Sequence, residues 1–500
     1  MFEKLLGYLE RNTISFDLRS LGLFRIALGF ALIYNLIVYR FPAVGVYYNN
    51  NQWLPEASAS DYYGKSFPLF NWSDSNLWYY FLLSLMLLLS ILFVIGYKTK
   101  WITPVLFITF ASLITTNPYL SHGVEHLEET ALFWAMFLPL NRRFQFFQNQ
   151  KASFFNFGKL AQLGFQFQLF LIYFSSWIFK NGELWRKGQL LEVVSNDLIH
   201  ARPLLQQLGT YPELAQSFTY AGFYLEVLVS ILLLLSFFFQ RARYWSAVSI
   251  ILLHGIMALF LHVGTFFLIG LAFGVLLLPQ SFWSWKVFPD RWRYQNSIGL
   301  DILSVRWKNF KRFFILVTML FILHGNLYHL SKNSYLSPFL SSLPLYKYTI
   351  GKQLADPGIF TGFWHQSWKF FPNNIYDDLG DFLFIGYDEN KTPFELRTSE
   401  KLYMSSTNGS YHIEPLPTAS YFGAEFTFGV YYKFYQDRFP VSTQKGWLEL
   451  QLNKYKQAHP DKIISKAELW KVQRFHTYEG GQLILTDTVF KLVTKNNFDY

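Results

Sequence analysis

The sequence predicts an all-α polytopic membrane protein with about nine transmembrane helices and a small C-terminal extracytoplasmic α+β domain. Charged residues make up only 15% of the 500 residues, whereas average soluble domains carry about 25%. Between residues 20 and 330, apolar runs are long enough to cross a bilayer. Residues 331–500 carry more charge, and Gly, Pro, Asn and Asp divide them into short segments.

The apolar runs predict nine transmembrane spans, of which the fourth is the shortest. They cover residues 20–38, 77–96, 101–117, 129–140, 163–179, 219–239, 245–261, 264–279 and 313–330. The first 19 residues mix acidic and basic side chains, so we predict a cytoplasmic N-terminal segment (1–19) and no cleavable signal peptide. A transmembrane domain (20–330) and the extracytoplasmic domain (331–500) follow.

Basic residues are distributed unevenly between the predicted loops. With the N-terminus inside, the inner segments hold 18 Lys and Arg and the outer segments hold 6. This positive-inside bias predicts a cytoplasmic N-terminus and an extracytoplasmic C-terminal domain, and we expect the membrane to be a bacterial inner (plasma) membrane. It also accounts for the net charge of +10, so the predicted partner is the lipid bilayer and not nucleic acid. The absence of cysteine excludes disulfides, thiolate metal sites and a cysteine nucleophile.

The C-terminal region predicts a hairpin, a helix and three further strands. The hairpin strands are 381–387 and 394–397, the helix covers 443–457, and the other strands are 426–435, 467–477 and 483–494. Before them, the aromatic segment 364–372, which includes Gln366 and Trp368, predicts a stretch lying on the membrane surface.

Lys180 stands at the end of the fifth span, just before the helix-breaking pair Asn181-Gly182. It could be an anchor whose stem lies along apolar surface while its ammonium reaches water. It could also be a functional base, because a lysine in a dry pocket loses its proton more easily. Its position alone leaves both interpretations open.

Two ionisable residues fall inside predicted spans. Arg25 in the first span should face protein or a polar cavity, because a guanidinium in lipid is costly, or it should reach the near interface. Glu226 in the sixth span should have a polar or cationic neighbour, either Arg25 or a proton-carrying group.

Histidines mark two further places. His122, Glu125, His126 and Glu129 are three and four residues apart and would share a helix face. Their order differs from the His-Glu-x-x-His of zinc proteases, so we predict a polar helix end and no metal. His254 lies in the middle of the seventh span, where an intramembrane histidine is a functional candidate.

Four segments together resemble the vitamin K-dependent γ-carboxylase-like superfamily, also called HTTM (horizontally transferred transmembrane domain) proteins. They are the opening span at 20–29, the Tyr173, Lys180, Trp185 and Gly188 series, the His254, Gly264 and Phe266 series, and Gln366 to Pro372. The resemblance covers about residues 12–375.

The resemblance implies a quinone-linked enzyme that modifies a peptide or protein. Lys180 would be the base that deprotonates a vitamin K-type hydroquinone, and His254 would be its intramembrane partner. The carboxylase reaction on peptide glutamate (a lyase) would follow. The chain departs from carboxylases at Phe179, where they have a second lysine, and its outer region is much shorter.

Other members of the superfamily suggest a different function. One branch resembles the membrane half of the pair that matures the sporulation-delaying toxin, and the small partner there carries a motif like the one at 366–371. This chain would then be a peptide-maturation or export factor. A third possibility is a transporter or scaffold that uses Arg25, Glu226 and the histidines for gating.

Overall fold

A computed structural model describes most of the chain. The described residues are 8, 12–47, 69–73, 75–116, 123–144, 146, 157–196, 200–289, 308–330, 380–407, 410–414, 441–479 and 482–497. The predicted strand at 426–435 and the membrane-surface residues Gln366 and Trp368 lie outside these ranges, as does His122.

The first 330 residues are helical wherever they form regular structure in the described ranges. The helices are α1 (Leu18–Asn35), α2 (Phe41–Tyr47), α3 (Asn76–Ile95), α4 (Thr99–Thr116), α5 (Gly123–Ala135), α6 (Lys159–Ile178), α7 (Glu183–Lys187), α8 (Leu190–Val194), α9 (Pro203–Gly209), α10 (Pro212–Leu235), α11 (Gln240–Phe260), α12 (Phe266–Leu276), α13 (Gln280–Trp283) and α14 (Lys308–Leu330). A 3₁₀ turn covers Phe70–Trp72.

A helix overlaps each of the nine predicted spans, and five helices in the described part of the chain are long and apolar enough to cross a membrane. These five are Leu18–Val44, Asn76–Ile95, Thr99–Thr116, Pro212–Leu235 and Gln240–Phe260. The fourth predicted span, 129–140, was misplaced, because α5 begins earlier and ends at Ala135. The eighth is an apolar helix of 11 residues. The nine crossings remain a prediction.

The first helix changes its winding where it carries polar residues. Asp17 caps its N-terminus, because the Asp17 side chain accepts the backbone N–H of Arg19. A π-helical turn over Leu36–Arg40 separates α1 from α2. Such turns insert a residue and occur often at functional positions. Here Asn35, which immediately precedes the turn, and Arg40, its last residue, are both buried.

The helices that carry the candidate site pack against one another. α6 contacts α10 and α14, and α12 contacts both α1 and α11. Buried apolar side chains from these helices and from α3, α4 and α5 form one continuous core. Polar side chains inside this core therefore find their hydrogen-bond partners in the protein, and each such partner is a clue to the role of the side chain.

The C-terminal region contains the predicted small sheet. Strands β1 (Gly380–Tyr387), β2 (Pro393–Glu395), β5 (Lys466–Glu479) and β6 (Gln482–Asn497) form an antiparallel sheet in the order β2-β1-β5-β6. The predicted hairpin, the helix α15 (Val441–Ala458) and the last two strands are confirmed. A second hairpin, β3 (Tyr403–Thr407) with β4 (Ser410–Glu414), was not predicted.

Close packing between α5 and α6 depends on one glycine. A Cβ at Gly164 would overlap the Trp134 indole, which is fully buried and donates its Nε1–H to Gln168. Gly222 in α10 has no heavy atom within 4 Å of the corresponding position, so it is a matched control.

We expect Gly164→Ala to lower the free energy of unfolding by about 1–3 kcal/mol, because the buried ring must move to make room. Gly222→Ala should be neutral or raise it by about 0.5–1 kcal/mol, because alanine favours a helix interior over glycine. Unfolding of the purified full chain in detergent tests both. Equal effects at the two glycines would contradict the packing argument.

Candidate functional site

The C-terminal end of α6 presents three polar side chains on one face. Tyr173, Ser176 and Lys180 are separated by three and four residues, which is the spacing of one helical face. The α-helix ends at Ile178, and Phe179 keeps helical dihedral angles, so Lys180 still continues this face. Lys180 is only 5% exposed. Its ammonium therefore does not reach water as a simple interfacial anchor would.

Lys180 forms a buried ion pair with Glu226 of α10. The lysine Nζ donates to Glu226 Oε1, and Ser176 Oγ donates to Glu226 Oε2 at 3.0 Å. The Trp185 ring centroid lies 4.8 Å from Nζ, a cation–π distance. The sequence predicted a polar or cationic neighbour for Glu226, and the structure places Lys180 there.

A group of aromatic rings begins at Trp185, the ring beside Lys180. Phe223 lies between Trp185 and Trp177, with centroid separations of 6.2 Å and 6.4 Å. The Trp177 indole N–H is buried and has no hydrogen-bond partner among the described residues. A buried donor of this kind calls for an explanation, and it is free to bind an acceptor.

About two helical turns before Lys180, Tyr173 of α6 bonds to His254 of α11. The Tyr173 hydroxyl is 2.9 Å from His254 Nε2, and both side chains are buried. The His254 ring lies against Phe266 at 4.8 Å between centroids and directly over Gly270, where a Cβ would overlap it. Its position is thus fixed by close packing on α12.

Arg25 takes no part in this group, so of the two partners that the sequence left open for Glu226, Arg25 is not the one observed. Its guanidinium donates to the carbonyl oxygens of Leu140, Val94 and Phe144, with two of the distances at 2.9 Å and 3.1 Å. Leu140 and Phe144 lie in the segment after α5, and Val94 lies in the last turn of α3. Arg25 therefore ties a loop and a helix end together.

The predicted polar end of α5 is buried more deeply than its sequence indicated. His126 Nδ1 lies 3.7 Å from Glu129 Oε2, and Glu125, Glu128 and Glu129 are all buried. In the described residues, no group of three His, Asp or Glu side chains could hold a metal ion.

The first helix supplies the partners of these carboxylates. Arg40 Nη2 donates to Glu125 Oε1 at 2.8 Å, and Arg40 Nε donates to Asn35 Oδ1 at 3.1 Å. Asn35 Nδ2 in turn donates to Glu128 Oε2 at 2.8 Å. Sequence analysis missed Asn35, Arg40 and Glu128. The sequence did carry a signal for this pairing. Three glutamates precede the apolar run of the fourth predicted span, and a single arginine follows the first predicted span.

An open groove of about 580 Å³ lies between α1 and α12. Its lining is entirely aliphatic and aromatic, contributed by Leu23, Ile26, Ala27, Phe30, Ile33, Tyr34, Ile37, Val38, Leu268, Leu271 and Val275. Lys180 is not part of this lining. The groove and the Lys180–Glu226 pair are therefore separate features.

The chain matches no protein-family model, no curated protein and no solved structure with which it was compared.

Proposed function

We propose that this protein is a membrane enzyme of the carboxylase-like (HTTM) superfamily in which Lys180 is the base for a quinol-type substrate. The observation that carries the proposal is the buried Lys180–Glu226 pair. It lies against the Trp185 ring and about two helical turns from the Tyr173–His254 hydrogen bond. The positive-inside bias of the loops supports a cytoplasmic N-terminus, nine crossings and an extracytoplasmic C-terminal domain.

A lysine must be neutral before it can accept a proton. In a dry site two isolated charges are costly, and a carboxylate within hydrogen-bonding distance can take the ammonium proton. When the shared proton rests on Glu226, Lys180 is a neutral amine that can accept a proton from an acidic O–H. Ser176 keeps the Glu226 carboxyl oriented toward Lys180 throughout.

The residues around the pair fit a flat, apolar ring that carries oxygen atoms. Trp177, Trp185 and Phe223 offer aromatic surfaces, and the Trp177 indole N–H can donate to a carbonyl or phenolate oxygen. A vitamin K-type hydroquinone, when bound, would supply the chemistry that activates a peptide or protein substrate. Tyr173 and His254 would hold a proton or a hydrogen bond on the inner side of Lys180.

Substitution of Lys180 by arginine separates a base from a fixed charge. Arginine keeps the positive charge and can bind Glu226, but it cannot deprotonate near neutral pH, because its pKa exceeds about 12. We expect Lys180→Arg to insert and fold normally while turnover falls at least about a hundredfold, the lower end of what general-base catalysis contributes. The exposed Lys187, which pairs with Glu183, supplies the control Lys187→Arg, which should leave turnover unchanged.

The measurement begins with mass spectrometry of quinones and peptides that co-purify with the full chain, followed by a turnover assay on what is found. Full activity of a folded Lys180→Arg variant would refute the role of Lys180 as a base. In that case a second candidate function is favoured, because both carboxylate oxygens of Glu226 already accept hydrogen bonds within the protein. The pair would then be a structural link in a peptide-maturation factor, transporter or scaffold.

A further inference from the structure

The buried polar cluster at the start of α5 is distinct from the Lys180 site. It consists of Glu125 and Glu128 from α5, Asn35 and Arg40 from the first helix, and Thr265 from the turn before α12. All five side chains are at least nine-tenths buried. Nothing in the proposed chemistry at Lys180 uses them.

The charges facing Glu128 do not balance when both carboxylates are ionised. Arg40 binds Glu125 directly at 2.8 Å, whereas its contact with Glu128 runs through Asn35. Among the described residues of this cluster, the two carboxylates and one guanidinium leave one negative charge in a fully buried place. Burial of an uncompensated charge is costly, and a carboxyl group there takes up a proton instead. Since Glu125 has the direct ion pair, Glu128 is the group to be protonated.

Two unpartnered atoms show where that proton would lie. Glu128 Oε1 and Thr265 Oγ1 are buried, and neither has a well-formed hydrogen bond to any described residue. The Thr265 hydroxyl nevertheless lies beside the Glu128 carboxyl, close enough to interact with it. A proton on Oε1, donated to the threonine oxygen, would give both atoms a partner at once.

We propose that Glu128 is a proton-binding site of the membrane domain, holding an exchangeable proton between its Oε1 and Thr265 Oγ1. Arg40 and Asn35 select Glu128 over Glu125 as the group that carries it. Proton relays in membrane proteins are built from carboxyl groups that can bind and release a proton inside the protein. The site stands independently of the proposed role of Lys180, because no residue is shared between the two.

Infrared spectroscopy of the full chain in lipid tests this directly, because a protonated carboxylic acid has a carbonyl-stretch band that an ionised one lacks. At neutral pH we expect Glu128→Gln to remove one carboxyl equivalent of this band. Glu183→Gln should leave it intact, because the hydrogen bond and the charge from Lys187 lower the pKa of the exposed Glu183. An acid-band intensity unchanged in Glu128→Gln would overturn the proposal.

Two further variants keep the test decisive if Glu128→Gln does not fold. Thr265→Val removes the proposed acceptor, so the acid band should shift to the higher frequency of a free carbonyl. An unshifted band would contradict the assignment to Thr265. Arg40→Gln removes the counter-charge of Glu125, so the acid band should gain a second equivalent. If added sodium abolished the wild-type band, the site would be a cation site and the proton proposal would fail.

Discussion

Substitution of Lys180 by methionine should lower the free energy of unfolding by about 3–5 kcal/mol, because it leaves the Glu226 carboxylate buried without its counter-charge. Glu226→Gln should have a similar cost, because it leaves the Lys180 ammonium beside Trp185 with no anion. Lys180→Ala should be destabilising for the same reason as Lys180→Met, whereas Lys180→Arg keeps a positive charge beside Glu226.

The double variant Lys180→Met/Glu226→Leu should recover most of this loss. Buried ion pairs replaced together by apolar residues of similar volume are often neutral or stabilising. The interaction energy in the double-mutant cycle should therefore exceed about 3 kcal/mol, the upper end of what contacting residues usually show. Denaturant titration of all four proteins in the same detergent gives the cycle. A double variant as unstable as the sum of the single variants would show that the two residues act independently.

The same double variant separates stability from chemistry. If Lys180 is a base, turnover stays lost in the double variant although the fold is restored. If the pair only links α6 to α10, whatever activity the protein has should return with stability. A single variant at a buried charge can lose activity only because it unfolds, and the double variant excludes that explanation.

The sequence predicted the positions of helices well because bilayer thickness sets the length of an apolar run. It failed at α5, which begins at Gly123, six residues before the predicted start of the span. Glu125 and Glu128 are tolerated inside the helix because Arg40 and Asn35 neutralise or bind them from the first helix. Hydropathy cannot register a partner 85 residues away.

Pairings at the candidate site depended on information that the sequence does not contain. Lys180, Glu226 and His254 were each identified by residue type and depth. Glu226 meets Lys180 and not Arg25 because of how α10 is rotated against α6, and rotation is set by packing. One sequence signal was overlooked: an Asn-Gly dipeptide at 408–409 favours a hairpin, and the strands on either side of it, β3 and β4, pair with each other.

Arg25 offers the other large expected effect, and it is structural. Its guanidinium has no exposed surface and binds Val94 O in the last turn of α3, where the helix dipole favours a cation. The same group binds Leu140 O and Phe144 O in the segment after α5. Arg25→Met would remove the guanidinium donor from the buried Leu140 O and from the partly buried Val94 O and Phe144 O, at about 1–3 kcal/mol for each.

We therefore expect Arg25→Met to lower the free energy of unfolding by roughly 3–5 kcal/mol, less than the sum of the separate bonds because the costly burial of the charge is also removed. The segment around Phe144 should become a site of early proteolytic cleavage, since Arg25 holds it against α3. Arg241→Met, at an exposed arginine, is the control and should change neither stability nor the cleavage pattern. If Arg25→Met were as stable and as protease-resistant as Arg241→Met, the guanidinium would not be the tie between these elements, and a functional role for Arg25 would become the better explanation of its burial.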